Sequence, residues 1–191
     1  MRFGNLELLS LSDGIMRLDG GAMFGVVPRV FWEKTNPADE LNRIVIGVNP
    51  LLIKVEGCNI LVDTGNGDKF SEKLLKIYGI EREPTLLESL SDNGLRPEDI
   101  GIVINTHLHF DHCGWNTFMD EYGKLKPTFP NARYIVQKRE WEDAIRPNEL
   151  TRAGYIPENF IPLMEAGRVE LVDGDREVYP GVTVVQTPGH N

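Results

Sequence analysis

The sequence predicts an α/β domain, in which strands and helices form layers around a shared core. The chain has 191 residues, of which 41% are hydrophobic, and this is enough to build one sizeable core. Short apolar runs are interspersed with segments whose apolar residues recur at helical spacing, which is typical of layered α/β folds. No apolar stretch approaches the roughly 20 residues of a membrane span. We therefore expect a single domain over residues 1–191 and no interaction with a membrane.

The N-terminal part is predicted to consist mainly of strands. Residues 6–11 and 14–18 have the composition of two short strands separated by a turn. Segment 20–28 is apolar but interrupted by glycines, which favours a loop that folds over another part of the protein. Another strand is expected at 44–48, and 51–62 has the pattern of a hairpin.

Two helices are predicted next, at 69–78 and 84–93. The apolar residues of the first recur at helical spacing, and Gly79 stands where a C-terminal cap belongs. The second begins with Pro84 and stops before Gly94. The remaining predicted elements are strands at 100–104, Arg133–Gln137, Val169–Val172 and 182–186, and a helix at Lys138–Ile145.

Charge and cysteine content exclude several functions. The chain has 20 Lys+Arg against 29 Asp+Glu, a formal net charge of -9, and such a surface repels phosphate backbones. We therefore expect no nucleic-acid partner. Cys58 and Cys113 are too few for a disulfide framework and match no paired-cysteine zinc spacing. The first residues contain no apolar core of a secretory signal, so a cytoplasmic location is expected.

The histidines carry the strongest functional signal. Three of the four lie within six residues, in Thr106-His107-Leu108-His109-Phe110-Asp111-His112. Chance placement would produce such a string with odds on the order of 1 in 10,000. The fourth, His190, follows another predicted strand. The cluster comes after the continuous apolar run 100–104, which predicts a strand buried on both faces, and open α/β sheets place their sites at such strand ends.

The spacing favours a metal site. Alternate residues of an extended chain point the same way, so His107 and His109 can share one ion. A catalytic zinc takes about three protein ligands, and His190 would complete that set. His112 breaks the alternation, so the backbone must turn there, and Asp111 and His112 would face a second ion. Nitrogen and carboxylate donors suit zinc, manganese or iron better than calcium. For Cys113, packing is expected rather than ligation.

Three motifs together resemble the metallo-β-lactamase superfamily, and they stand in its order. They are Leu61-Val62-Asp63-Thr64-Gly65, the histidine string above, and Thr187-Pro188-Gly189-His190. The resemblance runs from about residue 44 to the last residue. Within the superfamily, the stretch 19–28 resembles the N-acyl-homoserine lactonase, or quorum-quenching, branch.

The resemblance implies an αβ/βα sandwich with a dinuclear zinc site between its sheets. By position, His107, His109 and His190 match the ligands of the first metal, and Asp111 and His112 match ligands of the second. Asp63 matches an aspartate that holds the ligand loop in place. The superfamily continues to a bridging aspartate and a further histidine, and lactonases add a tyrosine near the substrate. This sequence contains none of these, so the second half of the sandwich is expected to be incomplete in this chain.

The expected activity is metal-dependent hydrolysis of a small-molecule substrate. A zinc-bound hydroxide would attack a carbonyl carbon, and Asp111 would orient the attacking water or take its proton. The favoured substrate is a lactone such as an N-acyl-homoserine lactone, although a phosphotriester or a β-lactam would also fit. We expect Met23, Phe24 and Trp32 to form an apolar wall for an acyl chain, and a homodimer remains open.

Parts of the same sequence would also serve other functions. A thioester hydrolase resembling glyoxalase II, or a nuclease, would use the same ligands, and the acidic charge disfavours the nuclease. The string Val62-Asp63-Thr64-Gly65 also resembles the turn of aspartic proteases, but such enzymes need two carboxylates and no histidines. A non-catalytic, partially assembled metal-binding fragment is the alternative outside enzymes.

Overall fold

The computed structural model describes residues 1–190, and most of its strands are grouped in one large sheet. Asn191, the last residue of the predicted domain, lies outside the described residues. The strands are β1 (Arg2–Phe3), β2 (Leu6–Ser10), β3 (Ile15–Asp19), β4 (Arg43–Gly47), β5 (Leu51–Val55), β6 (Cys58–Val62), β7 (Ile102–Ile104), β8 (Thr117–Met119), β9 (Leu125–Pro127), β10 (Arg133–Gln137), β11 (Val169–Val172), β12 (Arg176–Tyr179) and β13 (Val182–Val184).

Short helices connect these strands. They are α1 (Gly20–Phe24), α2 (Arg29–Trp32), α3 (Glu72–Tyr78), α4 (Leu86–Asp92), α5 (Phe110–Cys113), α6 (Lys138–Ile145) and α7 (Ile161–Glu165), with single 3-10 turns at Pro97–Asp99, Gly114–Asn116, Arg152–Gly154 and Pro157–Asn159. No helix within residues 1–190 combines the length and the apolar character that crossing a membrane requires.

The large sheet has seven strands in the order β1-β2-β5-β6-β7-β10-β11. Pairing is antiparallel from β1 to β6 and parallel from β6 to β11. The predicted hairpin over 51–62 is confirmed as β5 and β6, with Leu51 opposite Val62. Strands β12 and β13 form a separate antiparallel pair.

Side chains of the sheet alternate between two cores, because successive residues of a strand point to opposite faces. On one face, Leu61 and Val103 pack with Leu86 of α4 and Leu163 of α7. On the other face, isoleucines of β5, β6, β7 and β10 pack against the β12–β13 pair through Val182. All three residues of β7 are buried, which confirms the expected strand with two covered faces. The predicted α/β layering is therefore confirmed.

The segment predicted as a glycine-punctuated loop is instead partly helical. Residues 20–24 form α1, and Arg29–Trp32 form α2. Asp19 causes the difference, because its Oδ1 accepts a hydrogen bond from the backbone N–H of Ala22 at 2.9 Å and caps the helix. Asp19 therefore stabilises a helix that begins with Gly20 and Gly21, although glycine has a low intrinsic helix propensity.

Both longer helix predictions are confirmed, but each helix begins later than expected. Helix α3 starts at Glu72 because Ser71 caps it, and Gly79 ends it in a left-handed conformation with φ 50° and ψ 44°. Helix α4 starts at Leu86 behind a reciprocal cap between Thr85 and Glu88.

Candidate metal centre

The histidine string lies directly after β7, at the carboxyl end of the parallel strands. We call residues 105–114 the ligand loop. His109 keeps an extended conformation, with φ -64° and ψ 152°, and then the backbone turns into the four residues of α5. This helical turn is the departure from alternation that the position of His112 requires. His190 approaches from the segment that follows β13.

Three of the predicted ligands meet at one point. His107, His109 and His190 each offer a ring nitrogen, and these atoms all lie within 4.8 Å of one another. The ring centroids of His107 and His109 are 4.6 Å apart, and those of His107 and His190 are also 4.6 Å apart. Nε2 of His107 is buried and has no hydrogen-bond partner within residues 1–190. A buried lone pair without a partner is costly unless something binds it, so this donor set fits a metal ion.

Asp63 orients two of the predicted ligands. It follows β6 in a left-handed conformation, with φ 58°, and its Oδ2 accepts a hydrogen bond from Nδ1 of His112 at 2.8 Å. The backbone N–H and the hydroxyl of Thr106 both donate to its carboxylate at 2.8 Å.

These bonds determine which ring nitrogens are free to bind a metal. Because the Thr106 proton points to Asp63, the Thr106 oxygen accepts from Nδ1 of His107, at 3.1 Å. In both His107 and His112, Nδ1 therefore carries a proton and Nε2 faces the centre, as carboxylate-bound histidine ligands of metals usually do.

The second predicted pair also lies together. Oδ2 of Asp111 is 3.4 Å from Nε2 of His112, so both atoms can face one point beside the three-histidine group. The ring centroids of His107 and His112 are 4.0 Å apart. The structure therefore brings together all five residues that were predicted as ligands.

In the metal-free protein, His107 of the three-histidine group and His112 of the second pair differ in protonation. Burial, and then the neighbouring histidines, lower the pKa of His107 to about 3, so its ring is neutral. Burial alone would lower the pKa of His112, but the carboxylates of Asp111 and Asp63 raise it to about 10. Burial opposes ionisation of Asp111, yet the hydrogen bond with His112 holds its pKa below the usual value. A metal at the second position would replace this proton, because ligand histidines bind in the neutral form.

A buried carboxylate and close backbone packing hold the backbone of the ligand loop in place. Oε1 of Glu140 accepts from the backbone N–H of Leu108 at 2.7 Å, between two predicted ligands. Gly114 packs against the neighbouring segment so closely that a Cβ there would lie 2.0 Å from the carbonyl carbon of Asn66. Its own N–H donates to the carbonyl of Gly65 at 2.7 Å. Only glycine fits at position 114, which explains its place two residues after the histidine string.

Asp13 connects its own turn to three distant segments of the chain. Its carboxylate accepts hydrogen bonds from the backbone N–H groups of Asn66 at 2.7 Å, Gly67 at 3.2 Å and Leu86 at 2.8 Å, and from Nε1 of Trp115 at 2.8 Å. The side chain is 1% exposed. Burial raises the pKa of Asp13, although the four donors act in the opposite direction.

A clamp formed by Gly154 and Tyr155 fixes the ring of His109. The Tyr155 ring centroid lies 5.0 Å from that of His109, and the two residues also form a backbone bridge. A Cβ on Gly154 would lie 2.6 Å from Cδ2 of His109. The ring therefore has little freedom to turn away from the other histidines.

An apolar cavity of about 920 Å³ opens in front of the candidate ligands. Met23 of the predicted substrate wall lines this cavity. Phe24 and Trp32 are not among the described residues that line it, and instead stack on each other with centroids 5.0 Å apart. Trp32 is 5% exposed and covers Gly20. Of the three residues predicted for the wall, Met23 therefore lies at this cavity, whereas Phe24 and Trp32 contact each other beside it.

A second cavity, of about 630 Å³, lies on another side of the histidines. Gln137, Arg139 and Asp143 contribute to its lining, together with the segment that leads to His190. Cys113 is completely buried and donates its thiol proton to the carbonyl of Leu108, which confirms its expected packing role.

Sequence reasoning missed several of these supporting residues. Asp13 stands in what looked like an ordinary strand-to-strand turn, and its partners are up to 102 residues away. Glu140 and Tyr155 have no motif around them. The proximity of Gly154 to a histidine is visible only in three dimensions.

Fold and site together define a class, namely α/β proteins with a histidine-rich candidate metal centre at the carboxyl edge of parallel strands. Residues 43–191 match the metallo-beta-lactamase superfamily, and this chain belongs to that superfamily. The predicted family resemblance and fold class are thereby confirmed. The members that the chain resembles are metal-dependent hydrolases and N-acyl homoserine lactonases.

Individual relatives are similar over most of this chain but not over most of their own length. The N-acyl homoserine lactonase of Bacillus thuringiensis is 32% identical over 152 residues, which cover 73% of this chain and 53% of that protein. The chain thus spans about half the length of this relative. The crystal structure of a probable metal-dependent hydrolase from Staphylococcus aureus is 35% identical with a TM-score of 0.86, over 96% of this chain and 64% of that one.

A lactonase structure is also similar in fold. It is an N-acyl homoserine lactone hydrolase with the product N-hexanoyl-L-homoserine bound at its catalytic metal center. It has a TM-score of 0.67 and 27% identity, and the alignment covers 96% of this chain and 66% of that one.

Proposed function

We propose that this chain carries the metal-binding part of a hydrolase that opens the ester-like bond of a lactone. The observation that supports this most strongly is the meeting of three histidine nitrogens within 4.8 Å around a buried Nε2 of His107 that lacks a partner. Zinc suits three imidazole donors, although manganese and iron accept the same ligands. We propose two ions, the first held by His107, His109 and His190 and the second by Asp111 and His112.

Each residue of the site has a separate task in this proposal. When bound, the metal lowers the pKa of water, so that hydroxide is available at neutral pH, and it stabilises negative charge on the attacked carbonyl. Asp63 keeps the protons of His107 and His112 on Nδ1, directly or through Thr106. Asp111 directs its carboxylate towards the same centre, where it can orient the attacking water and accept its proton. No serine or cysteine nucleophile is needed, since Cys113 is buried and bonded to a carbonyl.

The cavity and the relatives both support a substrate that carries an acyl chain. The cavity beside the ligands is lined by Met23, Leu41 and Ile77 among other apolar side chains, which suits an acyl chain. Relatives that are about 32% identical are named N-acyl homoserine lactonases. We therefore favour an N-acyl lactone, and with it a quorum-quenching role. A thioester hydrolase is the second candidate, because the same centre would also attack a thioester carbonyl.

The aspartic protease alternative has little support from the geometry. The Asp63 carboxylate faces Thr106 and His112, whereas an aspartic protease pairs two carboxylates that share a proton. A non-catalytic metal-binding fragment remains the alternative to be separated by experiment. It predicts bound metal without turnover.

The test is metal analysis combined with a substrate panel on this chain. We expect about two zinc ions per chain and hydrolysis of N-hexanoyl-homoserine lactone that exceeds hydrolysis of a glutathione thioester. Asp111→Asn should lower kcat by about 100-fold or more if the carboxylate handles the proton. Bound metal without turnover would support the fragment alternative. Faster hydrolysis of the thioester would favour the thioester hydrolase over the lactonase.

Partners and location are part of the same proposal. A small molecule is the expected ligand, and the net charge of -9 disfavours nucleic acid. Cys58 and Cys113 are free thiols, which suits a reducing cytoplasm. We keep a homodimer as a proposal because large apolar side chains of the α1–α2 segment are exposed, Val26 fully and Phe31 by 63%. Sedimentation at two concentrations measures this directly.

A further inference from the structure

Tyr78 lines the cavity beside the candidate metal centre and has an uncommitted hydroxyl. It is the last residue of α3 and lines the same cavity as the predicted ligands. Its ring is half-buried and packs with the cluster that contains Phe110. Within residues 1–190 the Tyr78 hydroxyl makes no hydrogen bond, although a phenol that is partly withdrawn from water normally finds a partner.

The backbone around Tyr78 is held in place by two arginines. Arg43 donates to the carbonyls of Lys76 at 3.0 Å and Ile77 at 2.7 Å. Arg17 donates to the carbonyl of Gly79 at 3.0 Å. These bonds satisfy carbonyls that the end of a helix would otherwise leave open. The backbone that carries Tyr78 is therefore held on both sides, as a specificity-determining group requires.

Tyr78 lies close to the ligand loop and shares the cavity with apolar side chains. Its ring centroid lies 4.8 Å from that of Phe110, which is adjacent in sequence to His109 and Asp111. Met23, Leu41 and Ile77 also line this cavity. Arg17 and Arg43 line the cavity as well, but their guanidinium groups already donate to carbonyls and carboxylates.

An N-acyl lactone carries an amide carbonyl that can accept a hydrogen bond from this hydroxyl. Its ester carbonyl must reach the metal ligands and its alkyl tail belongs with the apolar side chains, so its amide carbonyl lies between the two. Burying that carbonyl without a donor would weaken binding. We propose that the hydroxyl of Tyr78 donates a hydrogen bond to the amide carbonyl oxygen of the acyl group, and so selects N-acyl lactones over lactones without an amide. This inference rests on the proposed lactonase function.

Tyr78→Phe tests the proposal, because it removes the hydroxyl and keeps the ring against Phe110. The protein, loaded with zinc, is assayed with N-hexanoyl-homoserine lactone and with an alkyl γ-lactone of similar length. We expect kcat/KM to fall about tenfold for the N-acyl lactone, as the loss of one hydrogen bond allows, and to change less than twofold for the alkyl lactone. Tyr122→Phe is the matched control, since Tyr122 is 77% exposed on the β8–β9 turn.

Two further measurements keep the result unambiguous. Calorimetric binding of the ring-opened product, N-hexanoyl-homoserine, should weaken about tenfold in Tyr78→Phe while zinc content and melting temperature stay unchanged. Wild-type protein should itself prefer the N-acyl lactone over the alkyl lactone, which requires no variant. Equal losses on both substrates, or no loss on either, would overturn the role of Tyr78 alone. Absence of lactone turnover in the wild type would instead overturn the proposed function, and this inference with it.

Discussion

Replacing Asp63 by asparagine should weaken the metal centre without touching a ligand. The carboxylate accepts three hydrogen bonds, each 2.8 Å long, from the backbone and hydroxyl of Thr106 and from Nδ1 of His112. An amide can keep the acceptor that faces the Thr106 N–H. Its NH2 group would then face the ring N–H of His112, so this bond is lost and the ring is free to turn.

The expected loss follows from the kind of bond that is broken. A hydrogen bond to a charged acceptor contributes about 1.5–3 kcal/mol, and removing such an orienting partner of a metal ligand typically lowers metal affinity by roughly 10- to 100-fold. Zinc affinity is measured by competition with a chromophoric chelator. Affinity within twofold of the wild type would refute the reasoning.

Asp120→Asn is the matched control for this experiment. Asp120 also accepts backbone hydrogen bonds, from Tyr122 at 3.0 Å and Lys124 at 2.8 Å, and it lies in the β8–β9 turn without a bond to the ligand loop. We expect Asp120→Asn to change stability but to leave zinc affinity unchanged. A similar fall in affinity for both variants would show that Asp63 acts only through general stability.

Three further predictions concern the support of the site. Gly154→Ala should lower zinc affinity by about tenfold and change the visible spectrum of the cobalt-loaded protein, because the new Cβ pushes on the His109 ring; an unchanged spectrum would contradict this. Asp13→Asn should lower the free energy of unfolding by ~3 kcal/mol in urea titrations. In the wild type several N–H groups donate to the Asp13 carboxylate, and in the variant some of them would face the NH2 group of the amide, which cannot accept. A loss below ~0.5 kcal/mol would contradict this prediction. Burial lowers the pKa of Lys69 to about 8, so the unfolded chain holds more protons between this pH and its ordinary value near 10.5. Wild type should therefore gain up to about 3 kcal/mol of stability over Lys69→Met between pH 7 and 10.5, and a constant difference would refute this.

Local patterns were sufficient to predict the elements that frame the site. The continuous apolar run 100–104 predicted a strand covered on both faces, and β7 is buried throughout. Gly79 predicted the end of α3 because its left-handed conformation is a backbone property of glycine. The histidine string was informative because metal ligation restricts both residue type and spacing.

Features built from distant contacts could not be predicted in this way. The hydrogen bonds of Asp13 join residues 53 to 102 positions apart, and no local pattern indicates them. The expected loop at 20–28 became α1 through the side chain of Asp19, against the low helix propensity of glycine. Phe24 and Trp32 were predicted for the substrate wall, although apolar lining and apolar packing look the same in sequence. In the structure the two rings stack on each other with centroids 5.0 Å apart, a contact that no local pattern indicates.

Anomalous diffraction at the zinc edge tests the central claim most directly. Crystals of the zinc-loaded protein should show a strong peak within about 2.1 Å of one ring nitrogen each of His107, His109 and His190. A second peak should lie beside Asp111 and His112. Absence of a peak at the three histidines under saturating zinc, or a peak held by other residues, would contradict the account.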